Sequence, residues 1–262
     1  MADMTVSVPR APEVREVPVD APWLWLALGW RDLWRRPDIS LAWGLVFALV
    51  SAALTAGLWW LGLLELLLPL AAGFALVGPM LAVGLYEASR HHEAGLPVSL
   101  GEVIVVSTRS PAALAFLGVV LMLFMLAWIR IATLLFALFF GLGFPPPADA
   151  IQALLLTPQG LAFLVSGTAI GAALAFTVYC LTAVSVPMLL ERDLDVVTAM
   201  SVSVRAVIRN FWPMMLWAWL IALLTAIGIA TCYIGMIVLF PLLGHATWHA
   251  YRATVAPDGQ RE

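Results

Sequence analysis

The chain has 262 residues, of which 63% are apolar and only 11% are charged, with a formal net charge of −3. A soluble globular domain carries about 25% charged residues, so this composition excludes an ordinary soluble domain and offers no basic surface for nucleic acid. Apolar runs of roughly 18 or more residues recur, which indicates several transmembrane helices. Because these runs do not alternate with polar residues, membrane β-strands are also excluded.

The two ends of the chain differ from the apolar body. Residues 1–20 hold three prolines among mixed charges and no apolar core, which is typical of a disordered cytoplasmic tail and not of a cleavable signal peptide. Residues 21–252 are predicted to form a single membrane domain, and residues 253–262 a second, short disordered tail.

The first predicted element is Ala21–Arg36. Trp23, Leu26, Trp30 and Trp34 recur at helical spacing, and arginines gather at its end. Indole rings and arginines both favour the headgroup zone, so we predict an interfacial helix on the inner membrane surface. The alternative is that this stretch extends the first span.

The apolar runs predict six spans, at Ile39–Leu61, Pro69–Tyr86, within Pro111–Phe144, at Leu161–Leu190, Trp212–Thr231 and Ile234–Tyr251. The third run would form roughly 50 Å of helix, too long for a hydrocarbon core of about 30 Å. It must therefore tilt, project beyond the membrane or break. Residues 144–160, which include three consecutive prolines, are predicted to be an outer loop or a short re-entrant piece.

Two further surface helices precede later spans. Ser99 and Glu102 match a capping box at the start of a short amphipathic piece. Asp195–Arg209 carries an apolar stripe of Val196, Met200, Val204 and Val207 opposite a polar face. The predicted fold is therefore all-α, with six transmembrane helices in three hairpins, each preceded by an amphipathic helix on the cytoplasmic surface. This order amounts to a degenerate threefold repeat.

The arginines predict the orientation. All of them except Arg130 fall on one side of the six-span arrangement, while the outer turns near Glu65, Asp149 and Cys232 contain none. By the positive-inside rule both termini are cytoplasmic, in a bacterial inner membrane.

Three stretches carry a family resemblance: GWRDLWRRP at Gly29–Pro37, GPMLAVGLYEASRHHE at Gly78–Glu93, and PLLGHATWHAYR at Pro241–Arg252. Together they resemble a bacterial domain-of-unknown-function family of predicted integral membrane proteins, over about Trp23–Val255. Some members are labelled cytochrome c oxidase subunit I-like. The resemblance implies a membrane fold and a topology, but no activity and no catalytic residues. Six predicted spans and four histidines are too few for a catalytic haem–copper oxidase subunit.

Gly73–Arg90 and Gly235–Arg252 repeat one design. Each starts with glycine, has a proline six residues later and ends in an aromatic residue and an arginine. Where the first copy has Val83 and Glu87, the second has His245 and His249. A functional site, if the chain has one, is expected where these two helix ends meet.

The histidines are the candidate ligands. His245 and His249 stand four residues apart on one helix face, a spacing that can hold a metal or approach a haem. His91, His92 and Glu87 at the matching helix end could complete such a site. The alternative is that all five are polar residues that contact headgroups or bond across the two helices. No cofactor and no metal can be assigned from two histidines.

Arg130 is the one basic residue within a predicted span. A charge there is costly, so it tends to be paired or functional. Arg130 is expected near the outer headgroups, where its side chain can snorkel and pair with Glu65 or Asp149. The alternative is a contact with an anion or a lipid phosphate.

Three prolines are helix-break candidates: Pro79, Pro187 and Pro241. Broken helices can offer backbone carbonyls to a substrate, as in transporters. Such a cavity would be lined by hydroxyls, the candidates being Ser166, Thr168, Thr177, Thr182 and Ser185. The alternative is that neighbouring helices satisfy the freed groups, as is common in membrane spans.

No catalytic constellation is present in the sequence, so an enzyme is not predicted. The sequence favours a non-enzymatic accessory or assembly factor of a larger membrane complex, such as a respiratory complex. Its partners would be the lipid bilayer and other membrane-protein subunits. Two alternatives stay open: a small-solute transporter or channel, and a metal- or haem-binding protein that uses the cytoplasmic histidines.

Overall fold

Helices supply the regular structure of residues 11–63, 66–141 and 152–257, which are the residues described by the computed structural model. Within these ranges there is no β-strand, only one isolated bridge between Val14 and Val255. The all-α prediction is confirmed. In chain order the principal helices are α1 Ala21–Arg35, α2 Pro37–Trp60, α3 Leu67–Leu81, α4 Val83–Ala94, α5 Leu100–Ile104, α6 Pro111–Phe140, α7 Pro158–Thr182, α8 Ser185–Glu191, α9 Val196–Arg209, α10 Phe211–Ala230 and α11 Met236–Thr254.

Five helical stretches of the described chain are long and apolar enough to cross a membrane: Pro37–Trp60, Pro69–Ala94, Pro111–Phe140, Pro158–Glu191 and Phe211–Ala230. They coincide with the first five predicted spans. The sixth predicted span, Ile234–Tyr251, corresponds to α11, which is not among the five. Because α11 carries histidines and an arginine, it is more polar than the other long helices.

The third span does not break in the part of the chain that is described. Helix α6 runs without interruption for 30 residues, or about 45 Å at 1.5 Å per residue. Gly141 follows with a φ of 70°, a left-handed conformation that ends helices. Of the three outcomes expected for this run, tilting or projection therefore applies through Phe140. The predicted loop at 144–160 is described only from residue 152 onwards.

The chain divides into two compact units, each with its own packing. The first comprises residues 1–52, 79–117 and 180–262. Its core includes Trp25, which packs edge-on against Trp217 with ring centroids 5.7 Å apart. Tyr86, Trp248 and Tyr251 are also fully buried there. The most extensive helix pair in this unit is α1 with α11.

The second unit comprises residues 53–78 and 118–179. Trp128 is central to it: its indole N–H donates to the Pro69 carbonyl at 2.8 Å. The same ring lies over Gly171, where an added Cβ would be 2.9 Å from the ring edge. A cluster of phenylalanine rings that includes Phe136 and Phe163 packs α6 against α7.

The segment before α1 differs from the prediction of a disordered tail through Asp20. From residue 11 it is described, and Val14 is buried beside Val255. The Arg15 N–H donates to the Thr254 carbonyl at 2.8 Å, and the Ala256 N–H donates to the Glu13 carbonyl at 2.9 Å. The predicted carboxy-terminal tail is likewise anchored through Val255. Short backbone pairing and one buried valine are enough to order a polar segment that lacks helical periodicity.

The predicted helix starts are seen at two of the shorter helices, α5 and α9. At α5 the Ser99 hydroxyl accepts from the Glu102 N–H while the Glu102 carboxylate accepts from the Ser99 N–H, so the capping box is confirmed. At α9 the Asp195 side chain accepts from the Thr198 N–H at 2.9 Å. The buried residues of α9 are Ala199, Val202, Ser203, Ala206 and Val207. Of the predicted stripe, Val207 is therefore buried, and Val196 and Met200 are partly buried against the core. Small side chains allow this helix to pack closely.

Candidate functional site

Two helix contacts build a buried polar cluster in the first unit. Helix α1 approaches α11 so closely at Gly29 that an added Cβ would be 2.7 Å from the Ala246 nitrogen. Helix α4 approaches α11 at Gly244, where an added Cβ would be 2.6 Å from the Leu85 side chain. These two close crossings bring polar residues of α1, α2, α4 and α11 together. We call the set Asp32, Ser40, Ser89, His245 and His249 the polar cluster.

Asp32 is the centre of the polar cluster, with only 1% of its surface exposed. Its Oδ2 accepts hydrogen bonds from the Ser89 hydroxyl at 3.0 Å and from His249 Nε2 at 2.8 Å. Its Oδ1 lies 3.4 Å from the guanidinium of Arg35. Burial opposes ionisation, but the hydrogen bond and charge of His249 and the hydrogen bond from Ser89 outweigh it and lower the pKa of the Asp32 carboxyl.

His245 is fully buried and both of its ring nitrogens are occupied. Nδ1 lies 2.8 Å from the Ser89 hydroxyl, and Nε2 lies 3.0 Å from the Ser40 hydroxyl. Since the single hydroxyl proton of Ser89 goes to Asp32, Nδ1 must be the protonated nitrogen, which donates to Ser89. A neutral ring then accepts from Ser40 at Nε2. The chain Ser40–His245–Ser89–Asp32–His249 is thus continuously hydrogen-bonded.

The remaining candidate histidines lie beside this cluster but do not join it. The His92 ring centroid is 6.5 Å from that of His245, and its Nε2 is buried with no hydrogen-bond partner among the described residues. His91 Nδ1 donates to the Pro97 carbonyl at 2.9 Å, and its Nε2 lies 3.1 Å from Glu87. Glu87 also binds Arg90 through both carboxylate oxygens.

These positions divide the five predicted ligand candidates into two groups. His245 and His249 belong to the polar cluster around Asp32 and His92 lies beside it, whereas His91 and Glu87 belong to a separate ion-pair group on α4. Over residues 11–63, 66–141 and 152–257, no three His, Cys, Asp or Glu side chains are arranged to hold a metal ion. Both nitrogens of His245 would have to leave their serine partners for the ring to become a ligand.

Sequence reasoning missed the centre of the cluster. Asp32 lies among the arginines at the end of α1, and the sequence pattern singles out neither Asp32 nor Ser40 nor Ser89. A usable signal exists in α1: Trp25, Gly29, Asp32 and Leu33 follow helical spacing and are all buried. They lie opposite the exposed tryptophan face on which the interfacial prediction depended.

Near each of the three prolines, a residue of a neighbouring helix contacts a backbone group of the proline-containing stretch. After Pro79 the helix breaks at Ala82, and the Leu81 carbonyl accepts from the Trp43 indole at 3.0 Å. Before Pro187 the helix breaks at Ala183–Val184, and the Val184 N–H donates to the Ser203 hydroxyl at 3.3 Å.

Pro241 lies inside the unbroken helix α11. Its missing N–H leaves the Ile237 carbonyl without a helical partner. Gly44 of α2 lies against that carbonyl. At all three prolines the contacts are therefore between helices, and they favour the packing interpretation.

Two of the five predicted cavity hydroxyls bond within their own helical stretch. Thr177 donates to the Ala173 carbonyl at 2.9 Å, and Ser185 donates to the Leu181 carbonyl four residues earlier. Such back-bonding satisfies a hydroxyl without a ligand. Arg130 is exposed on α6, while its predicted partners Glu65 and Asp149 lie outside the described residues.

Comparison with known families bears on residues 67–191. They match the family described as "Predicted integral membrane protein (DUF2189)". The predicted resemblance to a domain-of-unknown-function membrane family is confirmed over these residues, which include Gly78–Glu93, whereas Gly29–Pro37 and Pro241–Arg252 lie outside the match. Together with the long apolar helices, the match identifies a multi-pass integral membrane protein. No curated protein and no solved structure matches the chain. The polar cluster is formed in part by residues beyond the matched stretch, since Asp32 precedes it and His245 follows it.

Proposed function

We propose that this protein is a non-enzymatic accessory or assembly factor of a larger complex in the bacterial inner membrane. The observation that carries the proposal is the closure of the polar cluster: Asp32 and His245 are buried, and the atoms that bond them belong to neighbouring helices. Such a cluster fixes helices against one another and offers no exposed reacting group. Buried polar networks of this kind serve specificity of packing where every member is satisfied.

The apolar surface of the second unit supports contact with lipid or with other membrane helices. Leu134 and Leu138 on α6 and Val165 on α7 are among its exposed large side chains. Because lipid tails and apolar helices are equally apolar, such a face can accept either neighbour. A subunit of a larger assembly would use part of it for a partner.

We further propose six spans with both termini in the cytoplasm, α11 being the sixth. A helix surrounded by other helices can carry polar residues that a lipid-exposed span cannot, and α11 packs against α1, α4 and α10. The arginines support the orientation: apart from Arg130, each described arginine belongs to the first unit. In this arrangement α1, α5 and α9 lie at the cytoplasmic surface.

The test is recovery of the intact protein with its neighbours. A photoreactive residue is placed at Leu134, which is exposed, and as a matched control at Leu121, which is buried on the same helix. After irradiation of native membranes, we expect one defined partner subunit to crosslink from position 134 and not from 121. The same subunit should co-purify in constant ratio in two mild detergents, and its complex should become less abundant when this protein is deleted. Repeated recovery of the protein alone, with an unchanged membrane proteome in the deletion strain, would refute the proposal.

A further inference from the structure

A second polar region lies apart from the polar cluster, where α4, α8 and α11 end together. These helix ends and the segment before α6 enclose a cleft of about 540 Å³. We call it the arginine cleft. Its charged lining residues are Arg90, Glu93, Arg109, Glu191, Arg192 and Arg252. Four arginines and two glutamates line the cleft, and Glu87 of α4 neutralises Arg90 by binding it through both carboxylate oxygens. With Glu87 counted, these described side chains carry a net positive charge of one.

Ion pairs hold one wall of the arginine cleft in place. The Arg252 guanidinium lies 2.9 Å from the Glu93 carboxylate and 3.1 Å from the Glu191 carboxylate. The Trp248 indole donates to the other oxygen of Glu93 at 3.0 Å. Because one arginine bridges two carboxylates, both glutamates are engaged and point toward Arg252.

Arg192 forms a second fixed position and is only 5% exposed. Its Nε donates to the Tyr251 hydroxyl at 3.0 Å, and a terminal nitrogen donates to the Ala256 carbonyl. An arginine held by packing loses little side-chain freedom when it meets a ligand, which lowers the entropic cost of binding.

Arg109 differs from the other three. Its guanidinium is exposed and has no ion pair or hydrogen bond within the described residues. Its backbone is nonetheless anchored to α8, because the Arg109 N–H donates to the Leu190 carbonyl and the Thr108 hydroxyl donates to the Leu189 carbonyl at 2.8 Å. The Ser110 hydroxyl further donates to the Arg192 carbonyl at 2.9 Å. A firmly placed backbone thus presents a free guanidinium at the edge of the cleft.

We propose that the arginine cleft binds a phosphate monoester group. The net positive charge of the cleft and the exposed Arg109 guanidinium favour an anion, and a guanidinium fork binds two phosphate oxygens at once. The group could belong to a lipid headgroup or to a soluble phosphate ester, and the experiment below separates these sources. This inference is independent of the proposed accessory role.

The full-length protein in phosphatidylcholine nanodiscs is titrated with glycerol 3-phosphate, and the protein in detergent is titrated with dioleoyl phosphatidic acid, with adducts counted by native mass spectrometry. Arg109→Gln removes the free guanidinium, and Arg205→Gln, an exposed arginine on α9, is the matched control. We expect one high-affinity adduct that weakens about tenfold or more in Arg109→Gln and is unchanged in Arg205→Gln. Thermal unfolding of both variants should match the wild type, since neither side chain has an ion pair or hydrogen bond among the described residues to lose.

The ligand series decides the source and the chemistry. Binding of phosphatidic acid alone identifies a lipid headgroup, and equal binding of glycerol 3-phosphate identifies a soluble ester; both outcomes support the proposal. Equal binding of succinate, or equal loss of binding in Arg109→Gln and Arg205→Gln, would overturn it. A raised salt concentration should weaken a specific complex and leave its one-to-one ratio unchanged.

Discussion

Gly44 of α2 lies against the backbone carbonyl of Ile237 in α11. An added Cβ at Gly44 would be 2.1 Å from that oxygen, well inside any permitted contact. The carbonyl is the one that Pro241, four residues later, leaves without its helical hydrogen bond. A proline in one helix and a glycine in another are therefore parts of the same contact.

Gly44→Ala is expected to separate α2 from α11. Because the obstacle is rigid backbone, the methyl group cannot be accommodated by a side-chain rotation, and we expect a loss of about 1–3 kcal/mol in unfolding free energy. Gly57→Ala on the same helix is the control, since nothing lies within 4 Å of an added Cβ there. Thermal unfolding in a non-ionic detergent, followed by tryptophan fluorescence, measures both. Equal stability of the two variants would contradict the close contact.

Asp32→Asn tests the centre of the polar cluster. The amide keeps the size of the side chain but has only one oxygen. If that oxygen replaces Oδ2 and accepts from Ser89 and His249, the NH2 group replaces Oδ1 and faces the Arg35 guanidinium, which is itself a donor. We expect a loss of about 1–3 kcal/mol in unfolding free energy, the cost of leaving buried donors unsatisfied. Asp38→Asn is the matched control, because Asp38 is exposed and its ion pair with Arg36 lies at the surface. If Asp38→Asn lowered the unfolding free energy as much as Asp32→Asn, the polar cluster would contribute no more stability than a surface ion pair.

The lowered pKa of Asp32 predicts how this contribution depends on pH. Since the carboxyl is more acidic in the folded than in the unfolded protein, its stabilisation is complete above the unfolded value of about 3.9. It is lost as the pH falls through the folded pKa. The stability difference between wild type and Asp32→Asn should therefore be constant from pH 7 to about 5 and shrink below pH 4. A difference that widens on acidification would show that the sign of the shift is wrong.

Thiol labelling tests the proposed orientation. Cys232 is exposed and free, and Cys180 is partly buried. In a Cys180→Ala background, Cys232 should react with a membrane-impermeant maleimide added outside intact spheroplasts. With Cys232 also replaced, a cysteine introduced by Arg31→Cys should react only after the membrane is permeabilised. Labelling of position 31 from outside would place the arginines on the wrong side.

The elements of the fold followed from local pattern, whereas the site did not. Apolar runs set the first five spans to within a few residues except at their polar ends, because burial in lipid demands continuous apolar sequence. The capping box at Ser99 and Glu102 is a short-range interaction, so it could also be predicted from the sequence. The burial of Asp32 could not, because a charged residue among arginines at the end of a helix is normally solvated.

The burial of Asp32 could not be predicted from local sequence, because it depends on a contact between distant parts of the chain. Its burial requires α1 to approach α11 at Gly29, a contact with a residue more than 200 positions away in sequence. The repeat comparison did point to the meeting of two helix ends, and α4 and α11 are in contact. It named His245 and His249 but could not reveal that Ser40 and Ser89 would occupy the nitrogens of His245.

The pairing of α1 with α11 has a consequence for biosynthesis. About 200 residues separate the two helices, so the ribosome completes α1 long before its main neighbour exists. During that interval Asp32 lacks its His249 partner, although Arg35 and Ser89 have already been synthesised. Docking of α1 is then a late event that closes only when the final helix arrives, together with the backbone pairing of Glu13 and Arg15 to the end of that helix. A chain cut short before Met236 would leave α1 without its most extensive helix contact and would keep its contacts with α4 and α10.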